Sequence, residues 1–304
     1  MRRQLRCTGL LLVLSAAAIY PVSVSPVPKP RVQSNRDSST DLSFDGANDL
    51  IVVNATLNGK GPFRFLIDTG ASQHVMTSAL AQSLGLKEEN GGVVDAGGIG
   101  RIDAKLAQVA EVKIGGVTLE KQIFLVTPFP ARFPFEGFLG AELFRQFVVR
   151  IDFRQQRLTL TQPRSFRYQG HGLVLPLKFH EGSLPLVRAG IDGQSGWFKL
   201  DTGYNASLAL FGKFINEHKL LSKYKPEKSA TGAGTLTEEI NNVPVAAIRE
   251  FRLGSLAMND IPTSFFPAGG SNELFAGAIG TGLLKKFMVT IDYQKRRVIL
   301  EANE

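Results

Sequence analysis

The feature that most constrains the fold of this chain is an internal repeat. Residues 137–160 align without gaps on residues 277–300, and nine of the 24 positions are identical. The openings of the halves also match, because residues 53–68 and 187–201 each contain an apolar run, a Gly-rich turn and a second apolar run that ends in Asp. That pattern predicts a β-hairpin in each half. Since a repeated sequence builds a repeated structure, we expect two homologous lobes.

The composition favours lobes that are mostly β. The chain has 304 residues, of which 43% are hydrophobic and 20% charged, and it contains 31 Gly and 21 Phe. These values are ordinary for a soluble globular protein with many tight turns. Helical patterns are short and occur twice in each half, over residues 77–84, 141–147, 211–218 and 281–287. We place the lobes at residues 43–161 and 171–304, with a connector at residues 162–170.

The N-terminus has the pattern of an export signal. Residues 1–6 are basic, residues 10–14 are apolar, and Ala16-Ala17-Ala18 fits a cleavage site of small residues. We therefore assign residues 1–18 to a signal peptide and residues 19–42, rich in Pro, Ser and Asn, to a flexible linker. The alternative is an uncleaved segment that anchors the protein in a membrane. In either case we expect the protein to be exported, to the periplasm or to the medium.

Charge and residue usage exclude several classes of function. The net charge is +8, but aromatic residues are not interleaved with the basic ones to stack on bases, so we expect no nucleic-acid partner. Cys7 is the only cysteine, which leaves no thiol nucleophile in the body of the chain. The four histidines, His74, His171, His180 and His218, lack the spacing of metal ligands and are expected on the surface. We predict neither a metal nor a cofactor.

Each half places an Asp-Thr-Gly loop directly after an apolar run, at Asp68-Thr69-Gly70 and at Asp201-Thr202-Gly203. Alone, Asp and Gly at the end of a strand indicate only a turn. Two such loops at equivalent positions of a repeat indicate chemistry, because two carboxyl groups that share one proton can act as base and acid when water adds to an amide. The threonine hydroxyls can bond to the partner loop, and the glycines let the backbone approach a carboxylate closely.

These motifs resemble those of the retropepsin-like aspartic peptidases, in a tandem arrangement similar to that of pepsin-like enzymes. The first loop matches the family over Asp68-Thr69-Gly70-Ala71-Ser72. Late in each lobe come two apolar residues and Gly, at Phe138-Leu139-Gly140 and Ala278-Ile279-Gly280. The resemblance covers nearly the whole chain after residue 42. It implies a mostly β, bilobal fold of two retropepsin-like β-barrel lobes.

The resemblance also implies the parts of an aspartic endopeptidase. Asp68 and Asp201 would form the catalytic dyad. The residues that support them would be Thr69, Gly70, Thr202 and Gly203. Gly-rich segments resemble the flap tips that bind substrate, namely Gly98, Ile99 and Gly100 in the first lobe, and Gly232 and Gly234 in the second. The partner would be a peptide or protein substrate in an extended conformation, and the chain would act as a monomer.

Two alternatives to this reading of the sequence stay open. Tyr204 and Asn205 follow the second loop, where the first half has the small residues Ala71 and Ser72. A bulky Tyr204 could line a substrate pocket. It could also mark a second loop that is only structural, as in a catalytically silent protein that binds peptides with the same fold. In the other alternative, each lobe pairs with a lobe of a second chain.

Overall fold

A computed structural model describes the greater part of the chain, over residues 8–12, 39–95, 101–129, 133–226, 228–234, 239–240, 242–267 and 274–303. Strands dominate these ranges, and the α-helices in them are four to seven residues long. The fold is therefore mostly β, as the sequence predicts. None of these helices has the length and apolar character that a membrane span requires.

The first half of the chain contains two of the helices. Its elements are β1 (Thr8–Leu12), β2 (Ser39–Ser43), β3 (Val52–Leu57), β4 (Lys60–Ile67), β5 (His74–Thr77), α1 (Ser78–Leu84), β6 (Glu88–Asp95), β7 (Arg101–Ile114), β8 (Val117–Thr127), β9 (Gly137–Leu139), α2 (Ala141–Gln146), β10 (Val148–Asp152) and β11 (Arg157–Thr161).

The second half of the chain contains the other three helices. Its elements are β12 (Leu173–Pro176), β13 (Lys178–His180), β14 (Leu184–Ile191), β15 (Gln194–Leu200), β16 (Leu208–Phe211), α3 (Gly212–Glu217), α4 (Leu220–Tyr224), β17 (Lys228–Gly234), β18 (Glu239–Ile240), β19 (Val243–Ile248), β20 (Phe251–Leu253), β21 (Leu256–Met258), β22 (Ile261–Phe266), β23 (Gly277–Ile279), α5 (Thr281–Leu284), β24 (Phe287–Asp292) and β25 (Arg297–Ala302).

The first half forms a closed six-stranded barrel. Its strands follow the order β3-β4-β9-β5-β8-β7, β7 closes the circle by pairing with β3, and β6 is added at the outer edge. Closure depends on the length of β7, whose 14 residues pair with β8 along most of the strand and with β3 at its end. Side chains alternate between the two faces, so that Val53, Ala55 and Leu57 of β3 all belong to the core.

The second half repeats this strand order with interruptions. The path β19-β22-β16-β23-β15-β14-β20 corresponds to the first barrel strand by strand. Residues 249–250 divide the stretch equivalent to β7 into β19, which pairs with β22, and β20, which pairs with β14. In the part of the chain that the structure describes, the first half forms the complete barrel that the sequence predicts. The second half is a half-barrel.

A third sheet joins the two halves, in the order β12-β25-β24-β10-β11-β2. At its centre β10 and β24 pair antiparallel, with Arg150 opposite Thr290, and both strands come from the repeated segments. The strand β2 pairs with β11 at one edge. Residues 39–42, which we assigned to the linker, are thus part of the sheet. The repeat therefore places equivalent strands on either side of one central pairing.

The hydrophobic core is continuous between the halves. One cluster of buried side chains extends from the first barrel through the shared sheet into the second half. Within it the ring of Phe144 stacks on the ring of Tyr293, with centroids 5.4 Å apart. Each such side chain contributes about 1.5–3 kcal/mol when it is fully buried. Shared packing of this kind fixes the halves relative to each other, and with them the loops that lie between.

The four helices predicted from the sequence are present, with ends that agree to within three residues. The first, α1, begins after Thr77, whose hydroxyl accepts the N–H of Leu80, and it ends at Gly85, where φ is 68°. The last, α5, ends at Leu284, earlier than predicted, because Phe287 is already the first residue of β24. The short helix α4 was not predicted.

Candidate active site

The two Asp-Thr-Gly loops meet between the halves of the molecule. Each loop directly follows the buried end of a strand, β4 or β15, and that strand pairs in parallel with β9 or β23 of the same half. The N–H of Asp68 donates to the carbonyl of Leu139 at 3.1 Å, and the N–H of Asp201 donates to Ile279 at 2.9 Å. Both aspartates are completely buried. The same strand arrangement therefore presents one carboxyl group from each half.

The threonines of the loops exchange four hydrogen bonds across the interface. The N–H of Thr69 donates to Oγ1 of Thr202 at 3.0 Å, and the N–H of Thr202 donates to Oγ1 of Thr69 at 3.0 Å. Each hydroxyl then donates to the other half, Thr69 to the carbonyl of Leu200 at 2.6 Å and Thr202 to that of Ile67 at 2.8 Å. This reciprocal network holds the loops together through buried polar groups, all of which are satisfied.

The glycines of the loops touch the carboxylates of the opposite loop. A Cβ added to Gly70 would lie 2.6 Å from Oδ1 of Asp201, and one added to Gly203 would lie 2.6 Å from Oδ1 of Asp68. Within its own loop, the N–H of Gly70 donates to Asp68 at 2.7 Å, and that of Gly203 donates to Asp201 at 3.1 Å. Any side chain at either glycine would displace a carboxylate, so the structure brings the two aspartates into one site.

The two carboxyl groups resist simultaneous ionisation. Burial raises the pKa of the Asp68 carboxyl well above its usual range, and the nearby charge of Asp201 raises it further. Burial also raises the pKa of Asp201 to about 6, although the charge of Lys199 and the N–H of Gly203 act in the opposite direction. The pair therefore keeps one proton above the pH at which the first carboxyl group ionises.

Lys199 is a neighbour of the dyad that our sequence analysis did not single out. Its side chain is only 1% exposed, and its Nζ lies 4.0 Å from Oδ2 of Asp201. The signal in the sequence was a lysine inside the apolar run that ends at Leu200. A lysine two residues before Asp201 lies on the same face of the strand as the aspartate, but the sequence does not show that this face is buried.

The second family motif brings a glycine against each Asp loop. A Cβ on Gly140 would lie 2.3 Å from the carbonyl oxygen of Gln73, and one on Gly280 would lie 2.3 Å from that of Tyr204. The backbone that follows each motif is also bonded to its loop, since Ala141 donates to Ala71 and Thr281 donates to Tyr204. Close approach of the chain, which only glycine permits here, supports the loops from behind.

Only the candidate flap residues of the second half lie among the described residues. Gly98, Ile99 and Gly100 lie outside the described residues, between β6 and β7, which pair with each other up to Asp95 and Arg101. The other candidates, Gly232 and Gly234, are part of β17, which pairs with β18 and also, in parallel, with β1. Each half therefore has a hairpin between its two motifs, where the resemblance places a flap.

Tyr204 contributes to the core of the second half. It is completely buried, and its hydroxyl donates to the carbonyl of Leu208 at 2.9 Å. Its neighbours in the packing include Leu186, Ala209 and Ala278. The possibility that Tyr204 lines a substrate pocket is therefore wrong. Tyr204, which replaces a small residue after the second loop, changes the packing behind that loop. Its ring is not exposed in front of the loop.

The expectation that the histidines lie on the surface is wrong for His74. This side chain is completely buried; its Nδ1 accepts the N–H of Gly140 at 3.1 Å, and its ring lies against Phe124. Burial lowers the pKa of His74 to about 4, so the ring is neutral and supports the Gly140 backbone. Within the described ranges, no three His, Cys, Asp or Glu side chains are grouped as a metal ion would require.

Comparison with known proteins finds similarity to aspartic proteases. Residues 53–143 match the aspartyl protease family. A search of curated proteins found no significant match. Among solved structures, the chain is similar to the aspartic proteinase from Irpex lacteus, at 13% identity over 88% of this chain and 98% of that chain, with a TM-score of 0.57. It is also similar to a retropepsin-like aspartic protease from Rickettsia conorii, at 22% identity over 45% and 97% of the two chains, with a TM-score of 0.32.

The match at residues 53–143 includes the first Asp-Thr-Gly loop and the Phe138-Leu139-Gly140 motif. The likeness to the Irpex lacteus structure extends over both halves and shows that this chain has the fold of a bilobal aspartic proteinase. The family match and the fold agree with the resemblance of the motifs to those of aspartic peptidases, and they support aspartic peptidase activity in general.

Proposed function

We propose that this chain is a retropepsin-like aspartic endopeptidase whose single catalytic site combines Asp68 and Asp201. The observation that carries the proposal is the reciprocal fit of the two loops. Each loop has a glycine where any side chain would displace the carboxylate of the other loop. Loops that served only as turns would not need this complementarity across an interface. It supports a site built from both halves of one chain.

The chemistry follows from two buried carboxyl groups that share one proton. The ionised group removes a proton from water, and the water oxygen bonds to the carbonyl carbon of the scissile amide. The protonated group donates its proton to the carbonyl oxygen. Collapse of the tetrahedral intermediate breaks the C–N bond, moves a proton to the nitrogen and restores the pair. The Oδ2 atoms of Asp68 and Asp201, which make no hydrogen bond to a described residue, are the atoms positioned for these transfers.

The substrate of this reaction would be a peptide in an extended conformation. Hairpins β6–β7 and β17–β18 lie between the motifs of each half, and extended peptides bind strands of this kind through main-chain hydrogen bonds. Main-chain recognition is compatible with many sequences. It suits an endopeptidase that cuts within a chain, since binding by hairpins on both halves needs substrate residues on either side of the scissile bond.

A catalytically silent peptide-binding protein is the alternative that the sequence left open, on the strength of Tyr204. That residue is now accounted for by packing, because it is buried and its hydroxyl is bonded to Leu208. Both carboxyl groups keep the same backbone contacts in the two loops. The presence of Tyr204 is therefore no longer a reason to prefer a silent second loop over an active one.

The test is digestion of a random peptide mixture, analysed by mass spectrometry, with three variants beside the wild type. Asp68→Asn and Asp201→Asn are each expected to reduce turnover on the order of 1,000-fold or more, because one carboxyl group cannot be both acid and base. Asp260→Asn is the matched control. Asp260 is exposed and has a φ of 54°, a conformation that asparagine tolerates, so this variant should keep wild-type activity.

Two outcomes would contradict the proposal. Asp201→Asn with near wild-type activity would show that the two loops do not form one site. Products trimmed stepwise from the peptide ends would show an exopeptidase. Sedimentation of the active species adds a third arm: activity that follows the monomer supports a site within one chain, and activity that follows a dimer supports lobes paired between chains.

A further inference from the structure

Equivalent strands lead into the two aspartates, but they carry different side chains two residues earlier. In the first half this residue is Leu66, which lies in an apolar cluster with Ala71 and Val75. In the second half it is Lys199, which is as buried as Leu66. Since a leucine satisfies the packing of this position in one half, the fold itself supplies no reason for a lysine in the other.

The strand partners and the ring neighbours of Lys199 are apolar. Its cross-strand partners are Leu186 and Ala278. Its Nζ lies 5.4 Å from the ring centre of Phe211 and 5.7 Å from that of Phe275, which is the geometry of cation–π contacts. A buried ammonium is costly unless an opposite charge compensates it. The carboxylate of Asp201, 4.0 Å from Nζ, is that charge.

We propose that Lys199 is a positioning residue that gives the two carboxyl groups of the dyad different roles. Its ammonium keeps Asp201 as the carboxylate that removes the proton of water, and it leaves the shared proton on Asp68, which is then the general acid. The inference rests on the proposed function, because it requires both carboxyl groups in one site. Lys199 itself exchanges no proton with the substrate, since it acts through its charge. That charge also lowers the pKa of Asp68, where burial and the charge of Asp201 outweigh it.

The asymmetry of the carboxyl groups supports this assignment. Burial raises the pKa of both, but it raises that of Asp68 well above its usual range and that of Asp201 only to about 6, and Lys199 is the largest influence that lowers the latter. The lysine is also the cation that lies within 4.0 Å of either carboxylate among the described residues. The geometry and the electrostatics therefore select the same aspartate as the base.

Other titratable groups lie near the dyad, but they do not favour ionisation of one aspartate over the other as Lys199 does. Burial raises the pKa of the Tyr204 and Tyr293 hydroxyl groups, which are therefore neutral at the pH of catalysis. Tyr293 interacts electrostatically with both aspartates, and also with Arg145 and Glu142. Arg145 is itself paired with Glu142, Nη1 to Oε1 at 3.1 Å. Among the described residues, Lys199 is the cation within 4.0 Å of Asp201, and its weaker influence on Asp68 does not prevent the pKa of that carboxyl from lying well above its usual range.

The test compares Lys199→Met with the matched control Leu66→Met, so that the same residue occupies equivalent positions in the two halves. The pH profile of kcat/KM is measured for both variants and the wild type. Loss of the positive charge should raise the acid limb by on the order of one to three pH units in Lys199→Met. Leu66→Met should leave both limbs unmoved. An acid limb that stays in place in Lys199→Met overturns the proposal, because a merely structural lysine would alter stability alone.

A second measurement does not depend on peptidase activity. Carboxyl 13C NMR follows the protonation of Asp68 and Asp201 separately, and 15N NMR follows the charge of Lys199, in the full wild-type chain. We expect Asp201 to ionise at lower pH than Asp68, with Lys199 positively charged throughout. A neutral amine, or an Asp68 that ionises first, overturns the proposal. Absence of peptide cleavage by the wild type would instead reject the proposed function, and the NMR titration would still decide the role of Lys199.

Discussion

The two Asp-Thr-Gly loops have the same geometry and different surroundings. Each is held by the same threonine exchange, and each has a glycine against the opposite carboxylate. Behind the first loop lie small or aliphatic residues, Leu66 and Ala71, whereas behind the second lie Lys199 and Tyr204. The contacts between the loops are the same in both halves, whereas the side chains packed behind the loops differ. The comparison teaches that the fit of the loops requires symmetry and that the packing behind them does not. Geometry is symmetric here, and electrostatics are not.

The largest effect is expected where the loops are symmetric, at the glycines. Gly70→Ala and Gly203→Ala each place a Cβ within 2.6 Å of the opposite carboxyl group, which has to move. A displacement of about 1 Å in a reacting group costs about 100-fold in rate. We expect similar losses of kcat/KM in the two variants. Gly116→Ala is the control, because a Cβ there would meet only Thr40 at 3.4 Å. Unequal losses would show that the loops are not equivalent in fit.

The threonine exchange is the next contact to break. Thr69→Val and Thr202→Val each leave a buried N–H and a buried carbonyl without a partner, at a cost of about 1–3 kcal/mol for each group. The free energy of unfolding in urea should fall by similar amounts in the two variants, and the double variant should lose less than the sum. Thr159→Val, which removes an exposed bond to Asp41, is the control and should change stability little. Additive losses would contradict a shared network.

The dependence of the free energy of unfolding on pH should distinguish Asp68 from Asp201. A carboxyl group whose folded-state pKa is raised binds its proton more tightly when folded, so it lowers the free energy of unfolding as pH rises above about 4. Asp68→Asn removes this loss and should be more stable than the wild type at pH 7, by on the order of 1 kcal/mol or more, with little gain at pH 4. Asp201→Asn should gain less, because it also removes the negative charge that lies 4.0 Å from the buried ammonium of Lys199.

Urea unfolding at both pH values measures these differences. Asp292→Asn is the contrasting variant, since Asp292 accepts hydrogen bonds from the N–H of Lys295 and from Arg297, and weakening these bonds should lower the free energy of unfolding. An Asp201→Asn protein that gains as much as Asp68→Asn would mean that Lys199 does not compensate Asp201 in the folded state.

The smallest effect concerns the residue after each glycine. Ala71 has no hydroxyl to donate to Asp68, and the hydroxyl of Tyr204 is already bonded to Leu208. In Ala71→Ser, a new hydroxyl that bonds to Asp68 would favour the charged form and lower the limbs of the kcat/KM profile by about 0.5 pH unit. Tyr204→Phe should move neither limb. A wild-type profile that peaks in strong acid would contradict the raised pKa values behind this prediction.

Much of the fold could be predicted because the sequence is regular at two scales, in the repeat of the two halves and in the local patterns of single elements. The repeat predicted two related halves, and the hairpins, the Asp loops and four helices came from local patterns that the core does not override. The interruption at residues 249–250 has no such signal, because whether a long strand stays whole depends on its partners on both sides. The export signal at residues 1–18 and the flap tip at residues 98–100 stay predictions.

The site was predictable in its chemical groups and less so in its electrostatics. Asp68 and Asp201 were found because two carboxyl groups at equivalent points of a repeat have few structural explanations. Lys199 was missed and His74 was expected on the surface because a single polar residue in a strand can lie on either face, and side-chain alternation alone does not say which face is buried. Tyr204 lies in a loop, where the sequence gives no periodicity from which its burial could be predicted. Burial is a property of the assembled halves and is not written in either strand alone.

The connector at residues 162–170, which leads from β11 to β12, has a consequence for how such a protein can change over generations. In a symmetric homodimer each substitution appears twice, so a lysine beside one aspartate would also stand beside the other. Once duplication places both halves in one reading frame, a codon in one copy can change while its twin does not. An acid and a base can then be inherited as separate traits, and natural selection can adjust each of them independently.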